Sequence, residues 1–97
     1  MVTIKQRYNG LSIDGHANFA DQGKDIVCAA VSVLAQTLIA SIEELTDDDV
    51  RSVIEHGHIE LNYRNLSETS RVLIDSFLIG FRMLESEYPE FVTLAEH

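Results

Sequence analysis

The sequence predicts an α+β domain, a two-layer α/β sandwich in which two helices cover one face of a four-stranded, mainly antiparallel sheet. Three observations predict it: two pairs of segments in which apolar and polar residues alternate, a long apolar run of helical period between them, and a second helical run after them. The element order is therefore ββαββα. Ninety-seven residues suffice for one hydrophobic core, so we expect a single domain over residues 1–97.

The first pair of strands is predicted from alternation on both sides of an Asn-Gly pair. Residues 2–8 and 11–16 alternate, and Asn9-Gly10 stands between them. An Asn-Gly pair in this setting is typical of a hairpin with a type I′ turn, because both residues tolerate a positive φ. This hairpin places His16 at or near the end of the second strand.

The first helix is predicted over the apolar run that follows. Asp25 stands where an N-cap residue is expected, and its carboxylate would accept a bond from an unpaired N–H of the first turn. Apolar residues then recur at intervals of three and four, as on one face of an α-helix. They are Val27, Val31, Leu34, Leu38, Ile42 and Leu45.

The second hairpin and the second helix complete the predicted fold. Residues 50–55 and 58–63 read as strands, with Gly57 as the turning point. Asn65 and Glu68 fit a capping box at the start of the next helix, and Pro89 marks its end. The apolar face of that helix carries Leu73, Phe77, Phe81, Leu84 and Tyr88.

Cys28 and His16 are the candidate catalytic residues. Cys28, the single cysteine, lies in the first turn of the predicted first helix, where unpaired N–H groups and the helix dipole stabilise a thiolate. His16 ends the strand that leads through a short loop into this helix, so it is placed to act as the base. Spacing alone leaves a simpler interpretation open, in which Cys28 is a small buried apolar residue and His16 an ordinary surface residue.

The segment around both residues resembles the signature of the ribosomal-processing cysteine protease family. That signature combines Gly-His-Ala, a glycine-containing loop and Asp-Ile-Val-Cys-Ala-Ala-Val-Ser, and residues 14–32 read DGHANFADQGKDIVCAAVS. The chain length and the element order are also similar to the family. The second half of the chain matches in length and pattern only.

The resemblance implies a specific activity. Family members remove the N-terminal extension of a bacterial large-subunit ribosomal protein, L twenty-seven. They form homodimers, need no cofactor and use a Cys–His dyad, which falls here on Cys28 and His16. The loop between the dyad residues is expected to order when the peptide binds, with Gly23 as its hinge. Backbone N–H groups at the helix start, including that of Cys28, are expected to hold the oxyanion.

Four further residues are predicted to support the site. Gly15 lets the backbone or the substrate approach closely. Gly23 and Asp25 are expected to shape the loop and the helix start, and Ser32 lies one turn after Cys28 on the same helix face, where it either lines the pocket or merely packs. Asp14 is two positions from His16 in the strand, too far for an easy hydrogen bond, so we expect a dyad rather than a triad.

Composition narrows the class of partner. The formal net charge is −9, which argues against direct binding to nucleic acid and suits a basic protein substrate, although such a charge also simply maintains solubility. One cysteine excludes an internal disulfide. With no signal peptide and no run of about 18–20 apolar residues, we expect a cytoplasmic protein that does not engage a membrane.

Two other functions remain open at this point. One is a non-catalytic acidic module that binds a basic ribosomal protein, and the other is a thiol redox sensor that uses Cys28 alone. A metal site at His56-Gly57-His58 is disfavoured, because no further ligands stand at a matching spacing, and we expect a solvent-facing turn there. No metal and no cofactor are predicted.

Overall fold

The computed structural model of the chain describes residues 1–15 and 24–95, and for Lys24 and Asp25 it describes the backbone alone. The described elements are five strands and two helices. In chain order they are β1 (Val2–Arg7), β2 (Gly10–Asp14), α1 (Lys24–Leu45), β3 (Val50–Glu55), β4 (His58–Tyr63), α2 (Glu68–Glu87) and β5 (Val92–Ala95).

The sheet has one strand more than the sequence predicts. Its order is β3-β4-β2-β1-β5, and every neighbouring pair is antiparallel except β1 and β5, which are parallel. The four predicted strands are therefore present, and β5 makes the sheet mixed and five-stranded. The prediction missed β5 because four residues after the end of α2 are too few to show a strand period.

An apolar row crosses the helix-facing side of the sheet. Leu94, Ile4, Ile13, Ile59 and Ile54 are successive cross-strand partners from β5 to β3. The buried side chains of the sheet and of both helices form one cluster, so both helices cover the same face, as predicted. The buried helical members are Val27, Val31, Ala35, Leu38, Ile39, Ile42, Ile74, Phe77, Leu78 and Phe81.

Helix α1 buries part of its apolar surface in this core, while Ile26, Val33 and Leu45 remain exposed. The stretch Ile26–Leu45 has the length and composition of a helix that crosses a membrane, a property that core helices of soluble proteins share. Here its buried side chains face the sheet and α2. Gly80 lets the two helices approach, because a Cβ there would lie 3.2 Å from the end of the Leu34 side chain.

Two local predictions are wrong by one or two residues. The first hairpin turns at Tyr8 and Asn9, and Gly10 already pairs with Arg7 as the first residue of β2. Neither Asn9 nor Gly10 has a positive φ, so the turn is not type I′. A Cβ on Gly10 would lie 2.6 Å from the carbonyl oxygen of Leu61, so this glycine allows close strand approach instead.

The start of α2 is capped by Ser67 rather than by the predicted Asn65. The Ser67 hydroxyl accepts a bond of 3.2 Å from the Ser70 N–H. The carboxylate of Asp48 in turn accepts bonds from the N–H of Ser67 (3.0 Å), its hydroxyl (2.7 Å) and the hydroxyl of Ser70. Asn65 has φ +50° and belongs to the turn before the cap. A carboxylate from the α1–β3 connection thus completes the cap, which local sequence could not indicate.

Candidate functional site

A cavity of about 310 Å³ lies between one end of the sheet and the first turns of α1. Cys28, Val31 and Ser32 of α1 form one side of this cavity. Its other sides are the ends of β1 and β2, the last residues of β3 and the turn between β3 and β4. The cavity therefore brings together Cys28, Ser32 and Gly15, three of the residues selected from the sequence.

Cys28 lies two residues deeper in the helix than predicted. It is the fifth residue of α1, partly buried, and packs against the core. The N–H of a fifth helical residue bonds to the carbonyl of the first, here Lys24, so the expected free N–H of Cys28 is absent. Helical side chains lean toward the N-terminus, so the thiol is expected on the side of the first turn, whose N–H groups have no acceptor within the helix.

Gly15 joins the end of β2 to the first strand and to the β3–β4 turn. Its φ is +133°, and a Cβ built on it would lie 2.1 Å from the carbonyl oxygen of Met1. Its N–H donates a 3.0 Å bond to the carbonyl of Gly57. Only glycine accommodates this backbone angle and this close contact together. The structure thus holds the chain firmly at the residue immediately before His16.

The other candidates lie partly or wholly outside the described residues. His16 and Gly23 are outside them, so the predicted contact between His16 and Cys28 is not described. Because α1 begins at Lys24, Asp25 is its second residue and not the predicted N-cap; its side chain is outside the description. Ser32 accepts a 2.8 Å bond from the Gln36 side-chain amide one turn later, which satisfies its hydroxyl within the helix.

The β3–β4 turn contributes side chains that sequence reasoning assigned to solvent. His56, Gly57 and His58 all line the cavity, together with Ile54 and Glu55. Local sequence could not indicate this, because the position of the turn beside Cys28 depends on β4 pairing with β2. Among the described side chains, those of residues 1–15 and 26–95, no group of three or more His, Cys, Asp or Glu is arranged to hold a metal ion.

His58 lies between two carboxylates at the rim of the cavity. Its Nδ1 donates to Oδ1 of Asp14, its cross-strand partner, at 2.5 Å, and its Nε2 lies 3.4 Å from Oε1 of Glu60. The hydrogen bond that His58 donates to Asp14, and then the negative charge of Asp14, raise the pKa of His58 above 6.5, and partial desolvation opposes them. Asp14 is thus engaged by His58, on the strand face opposite the core.

Comparison with known proteins points to one family. The profile of the cysteine protease Prp family matches residues 1–93. The ribosomal processing cysteine protease Prp of Staphylococcus aureus is 27% identical over 85 residues, which cover 84% of this chain and 80% of that protein. The match therefore extends well beyond the segment around Cys28.

Solved structures show the same fold. The essential ribosomal processing protease Prp of S. aureus, in complex with a substrate peptide, superposes with a TM-score of 0.87 at 22% identity, over 99% of this chain and 97% of that one. A Streptococcus mutans protein superposes with a TM-score of 0.81 at 30% identity, over 98% and 90% of the two chains. The mixed sheet with two helices is thus a fold shared over nearly the whole chain.

Proposed function

This chain belongs to the cysteine protease Prp family and is a cysteine protease, and we propose that it removes the N-terminal extension of the large-subunit ribosomal protein L twenty-seven with a dyad of Cys28 and His16. The observation that carries the proposal is the cavity that Cys28 shares with Gly15, the residue before His16. The family match agrees with the resemblance of residues 14–32.

The proposed reaction has two steps. His16 takes the proton of the Cys28 thiol, and the thiolate attacks the scissile carbonyl. The C–N bond then breaks as His16 gives that proton to the leaving amine. A thioester to Cys28 remains. Water, deprotonated by His16, then attacks the thioester and releases the carboxylate product and the free thiol. The N–H groups of the first turn of α1, which have no acceptor within the helix, stabilise the oxyanion in both steps of this proposal.

The supporting residues have distinct proposed roles. Gly15 fixes the chain before His16, and its contact with Met1 supports this. Ser32 lines the cavity beside Cys28. Asp25, in the first turn of α1, places a negative charge where it stabilises the helix start, and Gly23 provides backbone freedom just before that helix.

The proposed setting is the bacterial cytoplasm, with the enzyme acting as a homodimer on a basic precursor. The relative with 27% identity is named for ribosomal processing, and ribosomal proteins are rich in Lys and Arg because they bind RNA. A protein of charge −9 attracts such a substrate. No metal or cofactor takes part in the proposed reaction.

The experiment is cleavage of a peptide that spans the processing site, followed by mass spectrometry. We expect one cut in the parent protein and none in Cys28→Ala or His16→Ala. Ser32→Ala is the matched control on the same helix face, and we expect at least a third of the parent rate from it. Cleavage that persists in Cys28→Ala would contradict the nucleophile assignment.

The same experiment separates the alternatives. Peptide binding without cleavage by the parent protein would indicate a non-catalytic module. Peroxide reactivity of Cys28 that survives His16→Ala, in a parent without peptidase activity, would indicate a redox sensor.

A further inference from the structure

Strand β3 lies at one edge of the sheet, and the strand pairing determines which of its backbone N–H and C=O groups point away from the sheet. Tyr63 N–H donates 2.9 Å to the Asn9 carbonyl, and Gly15 N–H donates 3.0 Å to the Gly57 carbonyl. Since backbone groups alternate sides along a strand, the odd-numbered residues of β4 bond to β2 and its even-numbered residues bond to β3. Their partners in β3 are Arg51, Val53 and Glu55.

The backbone N–H and C=O groups of Val50, Ser52 and Ile54 therefore point away from the sheet. We call these groups the β3 edge. Across residues 1–15 and 24–95, none of the hydrogen bonds outside helices and strand pairs involves them. Side chains from Arg51 to Glu55 are exposed, so the strand is open to a partner.

The opposite edge of the sheet is closed by the chain itself. In β5, the outward N–H of Val92 donates 3.1 Å to the Tyr88 carbonyl, and that of Leu94 donates 2.7 Å to a carboxylate oxygen of Glu85. Unpaired edges invite association, and proteins usually protect them. The outward N–H groups of β5 are thus bonded within the chain, whereas those of β3 have no such partner among the described residues.

The β3 edge runs into the cavity that holds Cys28. Ile54 and Glu55, the last residues of the strand, line that cavity opposite Cys28 and Ser32. The Ile54 side chain lies on the helix-facing side of the sheet yet is 53% exposed. A strand laid against β3 would extend the same face beside the first turns of α1.

We propose that the peptide substrate binds as a sixth strand on the β3 edge, with its backbone bonded to Ser52 and Ile54 and its scissile bond beside Cys28. The inference rests on the proposed function. The occupant is an extended peptide because the edge is continuous with the cavity of the nucleophile, and because backbone pairing holds a flexible chain straight for attack. Alternate side chains of the peptide then face the cavity and the solvent.

The first test replaces single backbone amides of the peptide by esters, away from the scissile bond. An ester removes one N–H and keeps the shape. We expect about a tenfold rise in KM at alternate positions on one side of the scissile bond, and little change at the positions between them. A uniform effect, or none, would overturn strand pairing.

The second test uses Ser52→Pro, which removes an outward N–H without touching the bonds between β3 and β4. Ser52→Ala keeps that N–H and is the matched control. We expect KM to rise about tenfold or more in Ser52→Pro with kcat within twofold, and KM to stay within twofold in Ser52→Ala. If KM is unchanged in Ser52→Pro but sedimentation gives a lower molecular mass than for the parent, the β3 edge binds a second copy of this chain and not the peptide.

The outcomes separate the two proposals. If the parent does not cleave the unmodified peptide, the proposed function fails, and strand pairing fails with it. If cleavage occurs without alternation in the ester series, strand pairing alone is wrong. The ester series uses the parent protein, so it decides the matter even where Ser52→Pro fails to fold.

Discussion

At the scale of single residues, Gly15 is constrained both by its backbone angle and by its close contact with Met1. We expect Gly15→Ala to destabilise the fold by at least about 1–3 kcal/mol, because the left-handed backbone angle is strained for alanine and the new methyl group meets the Met1 carbonyl. Thermal unfolding by calorimetry measures the loss. The same variant should lose peptidase activity at temperatures where it remains folded, since the residue precedes His16.

Gly80→Ala is the control for this substitution. Its methyl group meets only the flexible end of Leu34, at 3.2 Å, and alanine favours the interior of α2 by about 1 kcal/mol. We expect stability equal to or above that of the parent. An equal loss in both variants would refute the special role of Gly15.

His58 gives the stability a predictable pH dependence. Asp14 and Glu60 flank its imidazole, Glu55 is its cross-strand neighbour, and Arg7 lies 3.9 Å from Glu60. A raised pKa of His58 means that the stabilisation is complete below pH 6.5 and is lost as the pH rises through the folded-state value.

We therefore expect the difference in melting temperature between the parent and His58→Gln to be larger at pH 5.5 than at pH 8.5. Thermal unfolding at both pH values measures it. The difference in melting temperature between the parent and Asp14→Asn should likewise be larger at pH 5.5 than at pH 8.5, because this variant removes the carboxylate that stabilises the charged imidazole. A difference that grows toward alkaline pH would contradict the assigned pair.

At the scale of elements, Asp48 links the segment between α1 and β3 to the start of α2 through its hydrogen bonds with Ser67 and Ser70. Hydrogen bonds from Ser70 and Ser67 lower the pKa of Asp48 below its ordinary 3.8. Its stabilising effect is therefore present above that value and is lost as the pH falls through the folded-state pKa. We expect Asp48→Ala to lower the melting temperature at pH 7, and the difference from the parent to shrink at pH 2–3.

Asp48→Asn keeps one side-chain oxygen acceptor and serves as the control for lost charge. It should fall between the parent and Asp48→Ala at pH 7. If both variants unfold at the parent temperature, the bonds from Ser67 and Ser70 contribute nothing to the cap.

Sequence reasoning works best for long periodic elements. The apolar stripe of α1 and the alternation of β3 and β4 depend on local spacing, so their positions were predictable. The cap of α2 was not, because Ser67 acts together with Asp48, nineteen residues away in sequence. Strand β5 also depends on a distant partner. It is too short to show a strand period, and it is fixed by parallel pairing with β1 at the other end of the chain.

The candidate site divides in the same way. Cys28, Ser32 and Gly15 were selected from local pattern, and the structure places them around one cavity. Ile54 and the β3–β4 turn were missed, because their position depends on the strand order β3-β4-β2. A His-Gly-His turn carries no local sign of which part of the molecule lies beside it.

At the scale of the whole molecule, the charge of −9 predicts salt-dependent catalysis. We expect kcat/KM for a lysine-rich precursor to fall several-fold between 0.05 and 0.5 M NaCl, because salt screens the attraction that accelerates encounter. An uncharged peptide with the same processing site is the control and should show little change. Equal salt dependence for both substrates would exclude long-range attraction as the cause.

Strand β3 pairs with one strand only, β4, and is therefore a suitable place for redesign. A change in the length of the turn at Gly57 would shift β3 against β4 while β4 stays in register with β2 and the core. The wall of the cavity that carries Ile54 would move, and the wall that carries Cys28 would not. Libraries varied in turn length and in Ser52 and Ile54 therefore offer a route to proteases with altered peptide preference on an unchanged scaffold.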